Sequence, residues 1–319
     1  MFSPEPLLNN QTPFFWLLIL LLIILISTLF TMLLGILVLV PFYGTDILEK
    51  LSVAVSMADP NQIDMMKFMQ VVNQVGIFII PALFYAYLQN RKISQFLKFD
   101  KKPLLLSVMM TGILVFTFLP FTHWLANVNQ NMSLPEFLGV VERWMKESEE
   151  AAENLTRAFL KTDSLWGLLS NILIVGVLAS VGEELLFRSV LINLFRSWFK
   201  NVHLAVIVSA LLFSAFHLQF YGFLPRFMLG MLFGYLFVWS GNLWLPIIAH
   251  FINNASAVVV YYMFNTGSIA IEAEEFGSTD NWGALVLSTI VSIALLAGIY
   301  IFEKGRVVDG QKANTSESN

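Results

Sequence analysis

Apolar residues recur along this chain in long uninterrupted runs, not in the narrow stripes of a soluble helix bundle. The run at 14–40 can cross a bilayer unaided, because about 20 mostly apolar helical residues cover a hydrocarbon core ~30 Å thick. The same criterion finds spans at 66–88, 103–128, 165–199, 203–221, 224–239, 243–264 and 282–302. The pattern therefore predicts an all-α fold, a polytopic membrane helix bundle of about eight transmembrane helices. A different pattern follows the third span. Leu134, Phe137, Leu138, Val141 and Met145 repeat at helical spacing ahead of Glu147, Glu149, Glu150 and Glu153, and Ser133 with Glu136 has the form of a capping box. One interfacial amphipathic helix is expected there, resting on the membrane surface or covering the bundle.

These patterns divide the chain into a three-span N-terminal scaffold (1–132), an amphipathic extramembrane segment (133–164), a polar four-span core (165–265), an acidic loop with the last span (266–304) and a tail (305–319) whose composition predicts disorder. The run at 14–40 has no basic residue before it and no small-residue cleavage site, so a retained span is expected and not a leader. The link after the second span carries Arg91, Lys92, Lys98, Lys101 and Lys102, which predicts a cytoplasmic loop and, by alternation, both termini in the cytoplasm.

Composition narrows the chemistry. With 57% hydrophobic and 13% charged residues and a mean hydropathy of +0.73, the lipid bilayer is the expected solvent. A net charge of -4 offers no dense basic face to neutralise phosphates, which argues against a nucleic-acid partner. The chain has no Cys and four His, so disulfides, thiolate metal sites and a Cys nucleophile are excluded.

An ionisable side chain at mid-membrane costs about 2.5 to 3.5 kcal/mol on insertion scales, so its presence needs a reason. Such residues concentrate in spans four to seven: Glu183, Glu184, Arg188, His217, Arg226 and His250. Glu184 and Arg188 lie at i and i+4 and can pair. Glu183 is rotated by about 100° from Glu184, so it faces a different helix and can take a proton from water. The plainer alternative is a network that only locks helices together. Phe213 and His217 are one turn apart, as are His250 and Asn254, each pair aimed at one patch. In span two, Asn73, Gln74 and Pro81 can kink the helix or line a groove, and Gly230 with Gly234 suggests close helix packing.

Glu183-Glu184-x-x-x-Arg188, Phe213-x-x-x-His217 and His250-x-x-x-Asn254, in this order on successive helices, resemble the three motifs of the CPBP family. That family includes CAAX prenyl endopeptidases and bacteriocin-processing or immunity-associated proteins. The resemblance covers about 165–265 and implies a catalytic core there. It further implies an intramembrane endopeptidase that hydrolyses a peptide bond of a membrane-embedded or lipidated protein or peptide. In that scheme Glu183 and His217 activate the water and His250 with Asn254 stabilises the oxyanion, while Glu184, Arg188 and Phe213 support them. A metal-free water mechanism fits these groups, and Glu183, His217 and His250 could also supply three ligands to zinc, leaving a fourth position for water. No HExxH motif is present. A proton-coupled transporter and a noncatalytic immunity or scaffold protein that retains the site are the other readings. The two halves of the chain share no repeated polar pattern, which weighs against the transporter.

Overall fold

The computed structural model describes residues 11–51, 62–272 and 275–316, with side chains described as far as 304. The described residues form helices and no strands. In chain order these are α1 (Pro13–Tyr43), α2 (Ile63–Gln89), α3 (Leu105–Gln130), α4 (Gly139–Leu160), α5 (Leu165–Phe199), α6 (Val202–Phe216), α7 (Phe223–Ser240), α8 (Trp244–Asn265) and α9 (Trp282–Ser316). Seven of them are long and apolar enough to cross a membrane. Leu21, Leu25, Leu29 and Leu33 of α1 and Val286, Ile290 and Ile293 of α9 stand more than half exposed along their helices, a surface that matches lipid and not water. The chain is a multi-pass integral membrane protein.

The expected eighth span is shorter than the apolar pattern suggested. Helix α6 has 15 residues, about 22 Å of helix, which is less than the hydrocarbon thickness. It stops because Leu218 turns the chain in the left-handed region (φ 53°), unusual for a leucine. Phe220, inside the expected fifth span, instead packs against Trp144 of α4, with ring centroids 5.1 Å apart and the rings tilted by 58°. The short link expected at 222–225 accordingly lies at 217–222.

Helix α4 covers the bundle, the second of its two expected placements. Glu149 accepts a hydrogen bond from the Tyr221 amide (3.1 Å), and Leu155 joins a cluster of Met65, Met66 and Met69 from α2. The capping box at Ser133 does not form. Pro135 disfavours helical backbone at Leu134, so a 3-10 turn (Glu136–Leu138) comes first and α4 starts at Gly139 without a side-chain cap. At the other end of the chain, the backbone of α9 stays helical through Ser316, so the tail expected to be disordered is helical as far as that residue. Extending an existing helix needs no new nucleus. Residues 317–319 lie outside the described ones.

Two spans are interrupted by wide π turns: α2 at Gln74–Ile79, and α5 at Ile172–Leu178 and Leu185–Ile192. Each of these turns offers a carbonyl that a side chain of another helix takes. Ser27 donates to Gly76 O (2.6 Å), Asn254 to Val175 O (3.0 Å) and Ser209 to Phe187 O (2.7 Å). In lipid an unpaired carbonyl is costly, so these bonds let α2 and α5 widen without penalty and tie them to α1, α8 and α6.

The pair Gly230 and Gly234 brings α7 against α6 and α5. A Cβ at Gly230 would lie 3.1 Å from Ala210 Cβ and 3.2 Å from its Cα, and one at Gly234 would lie 2.8 Å from Val206 Cγ1. Gly230→Val should therefore lower stability by about 1–3 kcal/mol, as overpacking does, read as a lower unfolding midpoint in detergent. An unchanged midpoint would show that the two helices can part without cost.

Candidate active site

The regular segment Ala179–Glu184 of α5 lies between its two wide turns and carries both carboxylates of the site. Arg188 and Glu184 have no exposed surface, and Arg188 Nε lies 2.9 Å from Glu184 Oε2. The contact is an ion pair and not an aligned hydrogen bond, since neither Nε nor Oε2 meets hydrogen-bond geometry, and the Nη atoms of Arg188 have no hydrogen-bond partner either. They face aromatic rings instead. The guanidinium carbon sits 4.5 Å from the Phe213 centroid, 5.5 Å from Phe233 and 5.9 Å from Phe187. A weakly hydrated guanidinium tolerates such a cage far better than an ammonium would.

Glu184 does more than pair with arginine. Its Oε1 is 2.9 Å from His250 Nδ1, so the imidazole donates to the carboxylate and α8 is fixed to α5. The His250 ring is stacked on Phe233 (centroids 5.1 Å, 21°) and edge-on to Phe213 (5.9 Å, 84°), which leaves it little freedom. Its Nε2 points toward Glu183, 3.9 Å from Oε2.

His217 ends α6. Its Nδ1 is 2.9 Å from Phe213 O, and since a carbonyl only accepts, Nδ1 carries the hydrogen and Nε2 keeps a lone pair. Phe213 also packs edge-on to this ring at 5.2 Å, the contact expected from their spacing. Asn254 donates one N–H to Val175 O and its Oδ1 accepts from Asn253 (3.2 Å). One N–H of the Asn254 amide therefore remains for another acceptor.

Glu183, His217, His250 and Asn254 line one cavity of about 440 Å3, together with Phe213 and Arg226. Arg226 is held locally, its Nη2 donating to Gln219 Oε1 at 2.5 Å. Two contributions were not assigned to the site from sequence. Gln74 of α2 donates to Glu183 Oε1 at 3.3 Å, so the second span reaches the site. Leu155, Thr156 and Phe159 of α4 also line the cavity. The polar position of Gln74 within an apolar span was the available signal for the first.

The three expected zinc ligands line one cavity without closing on a single point. Among the described residues no three His, Asp or Glu side chains converge closely enough to hold an ion. His250 Nε2 and Glu183 Oε2 are 3.9 Å apart, while Nδ1 of His250 bonds Glu184 and Nδ1 of His217 bonds a carbonyl, an arrangement that leaves both Nε2 atoms able to act as ligands. The remaining histidines lie elsewhere: His123 bonds Phe276 O (2.8 Å) and His203 bonds the Tyr235 hydroxyl (3.0 Å).

The ion pair makes a stability prediction. Arg188→Met strands a buried carboxylate and should cost about 3–5 kcal/mol, whereas adding Glu184→Gln should recover part of that loss. Denaturant unfolding in micelles measures both, and a double variant less stable than the single one would contradict it.

Comparison with known proteins bears on the same helices. Residues 164–256 match the family model described as type II CAAX prenyl endopeptidase Rce1-like, a window that contains all three motifs. An uncharacterized 24.3 kDa protein of Escherichia coli is 30% identical over 103 residues, which cover 31% of this chain and 48% of that relative. The match thus spans about half the length of the curated relative. No solved structure matches the chain significantly. By motif order and by this match, the segment 164–256 is similar to the type II CAAX prenyl endopeptidase Rce1-like family.

Proposed function

We propose that the chain is an intramembrane endopeptidase that hydrolyses a peptide bond of a membrane-associated or lipidated protein or peptide. The observation that carries this reading is the meeting of a carboxylate, an imidazole lone pair and amide and imidazole donors on one cavity inside the bundle. Glu183 and Nε2 of His217 are the groups able to accept a proton from water. As the water oxygen bonds to the scissile carbonyl carbon, its proton passes to this pair. The same proton then goes to the leaving amine as the C–N bond breaks, so that one water is consumed and no net proton is made.

The developing oxyanion needs donors in a dry site, where each is worth far more than in bulk water. The remaining N–H of Asn254 is one. His250 donates from Nε2 only as an imidazolium, since Nδ1 already carries a hydrogen toward Glu184; that charge would face Glu183, 3.9 Å away, because Glu184 is already paired with Arg188. Glu184 and Arg188 then act by holding His250 in place. The rim formed by Leu155, Phe159 and Leu160 of α4 suits an apolar or lipid-bearing substrate segment. In this reading the basic link after α2 stays cytoplasmic, with both termini on that side.

Glu183→Gln and His217→Ala should each lower cleavage by about 10²–10⁴-fold while the proteins still fold. The measurement compares the membrane proteome of cells carrying wild-type protein and Glu183→Gln, seeking cleavage products present only with the former, with and without a chelator. Full cleavage by either variant removes the assignment, and loss of cleavage on chelation alone would replace the metal-free route.

A further inference from the structure

The links between helices gather at two ends of the bundle. At one end the Leu243 amide donates to Lys98 O (3.0 Å) and the Trp244 indole to Phe99 O (3.3 Å), which joins the link before α8 to the basic link after α2. At the other end Asn129 joins the close of α3 to the link after α6, donating to Phe220 O (3.0 Å) and accepting from the Leu224 amide (2.8 Å). His123 of α3 ties the loop after α8 to this same end through Phe276 O. The two ends differ in charge. The link at 90–104 carries Arg91, Lys92, Lys98, Lys101 and Lys102 against Asp100 alone, whereas the loop at 266–281 carries Glu272, Glu274, Glu275 and Asp280 and no Lys or Arg.

The catalytic cavity faces the acidic end. His217 closes α6 there and Arg226 lies in the first turn of α7, while Thr156 of α4 lines the cavity and is itself exposed. Toward the basic end the bundle is packed: every residue of α5 from Leu185 to Ile192 is buried, as are Val206 of α6 and Leu245 of α8. A cavity of about 350 Å3 at that end, lined by Pro13, Gln89 and Ser197, shares no lining residue with the site. Toward the acidic end the bundle is hollow instead. A cavity of about 850 Å3 lies there on the same helices, α2, α4, α5 and α8, and Glu272 of the acidic loop lines it. Lys67 precedes Gln74 and Tyr261 follows Asn254 by seven residues, so this outer cavity sits about 10 Å of helix nearer that end. On α4, Thr156 and Phe159 line the inner cavity and Ala158 and Lys161 the outer one.

We propose that the site is reached from the face opposite to the basic link, and that its substrate is a protein or peptide segment displayed on the extracytoplasmic face, with its lipid or apolar anchor in the outer half of the bilayer. This inference rests on the hydrolase reading above and on the cytoplasmic place of the basic link. A lipidated tail on the cytoplasmic side would have to carry its polar backbone through the packed layer of α5, α6 and α8 to meet Glu183, and unpaired backbone is costly there. A segment on the other face meets the exposed Thr156 and then the cavity. The bond changes of hydrolysis are those already given; what the inference adds is the side on which the substrate lies.

The chain has no Cys, so single cysteines report access without a background. Thr156→Cys and Gln70→Cys mark the catalytic cavity and Lys101→Cys the basic link, and none of the three replaces a reacting group. A charged maleimide, which the bilayer excludes, is applied to right-side-out and to inside-out membrane vesicles carrying the full-length protein. Thr156→Cys and Gln70→Cys should react at least about 10-fold faster in right-side-out vesicles, and Lys101→Cys in inside-out ones. Cavity cysteines that react from the same side as Lys101→Cys, or a Lys101→Cys that reacts in right-side-out vesicles, overturn the inference. For turnover, the probe is a lipid-anchored, internally quenched peptide selected from a library for cleavage by the wild type, and not by Glu183→Gln, in detergent. Right-side-out vesicles should cleave this peptide when it is added outside. Cleavage only of peptide enclosed within them overturns the inference and leaves the hydrolase reading standing. Absence of any Glu183-dependent cleavage in detergent overturns the hydrolase reading and the substrate assignment with it, while the cysteine labelling decides the open face independently.

Discussion

A guanidinium without exposed surface inside a membrane bundle is the constraint on which the site depends. Arg188 is tolerated because Glu184 lies one turn away and three aromatic rings surround the rest of it. The rings come from α5, α6 and α7, so the cage that holds the cation also sets where those helices meet. Glu184 then has one oxygen left, which takes His250 from α8. One ion pair thus fixes the relative positions of four helices before any catalytic group is considered. A buried pair of this kind is seldom a net source of stability against an apolar replacement. What the pair does in this structure is leave the second Glu184 oxygen to hold His250.

The wide turns serve the same end through the backbone. A regular helix commits every carbonyl to its own ladder, whereas the turns of α2 and α5 hand Gly76, Val175 and Phe187 carbonyls to neighbouring side chains. Asn254 is held by one of these bonds, and Gln74 starts the turn in α2 that includes another. Local departures from helical geometry therefore sit next to the polar groups they orient, as π turns at functional sites commonly do.

Much of this was legible from sequence, for a physical reason. The bilayer forbids unpaired backbone, so apolar runs translate directly into helices, and helical spacing within a run predicts which side chains share a face. The Glu184–Arg188 pair and the Phe213–His217 contact follow from spacing alone. What periodicity missed depends on tertiary contacts. The shortening of α6 arises from a left-handed Leu218 and from Phe220 finding Trp144 on α4. The bond from Gln74 to Glu183 crosses 109 positions, and nothing in the local pattern of either helix names the other as partner. The failed capping box is different: its sequence form was present, and the restriction that Pro135 places on Leu134 was the competing local rule.

The family segment does not by itself enclose the site. Residues 164–256 supply the carboxylates, both imidazoles and Asn254, yet the cavity wall is completed by Gln74 of α2 and by Leu155, Thr156 and Phe159 of α4, all outside that window. A wall built partly outside the matched core is where substrate preference can change while the reacting groups stay fixed. Helix α4 also bonds the Tyr221 amide through Glu149, a few residues after His217. The cover over the cavity and the loop that ends the His217 helix are thus mechanically joined. Under the proposed reading, a movement of α4 large enough to admit a substrate would disturb that hydrogen bond and the Trp144–Phe220 contact beside it, and through them the loop that follows His217.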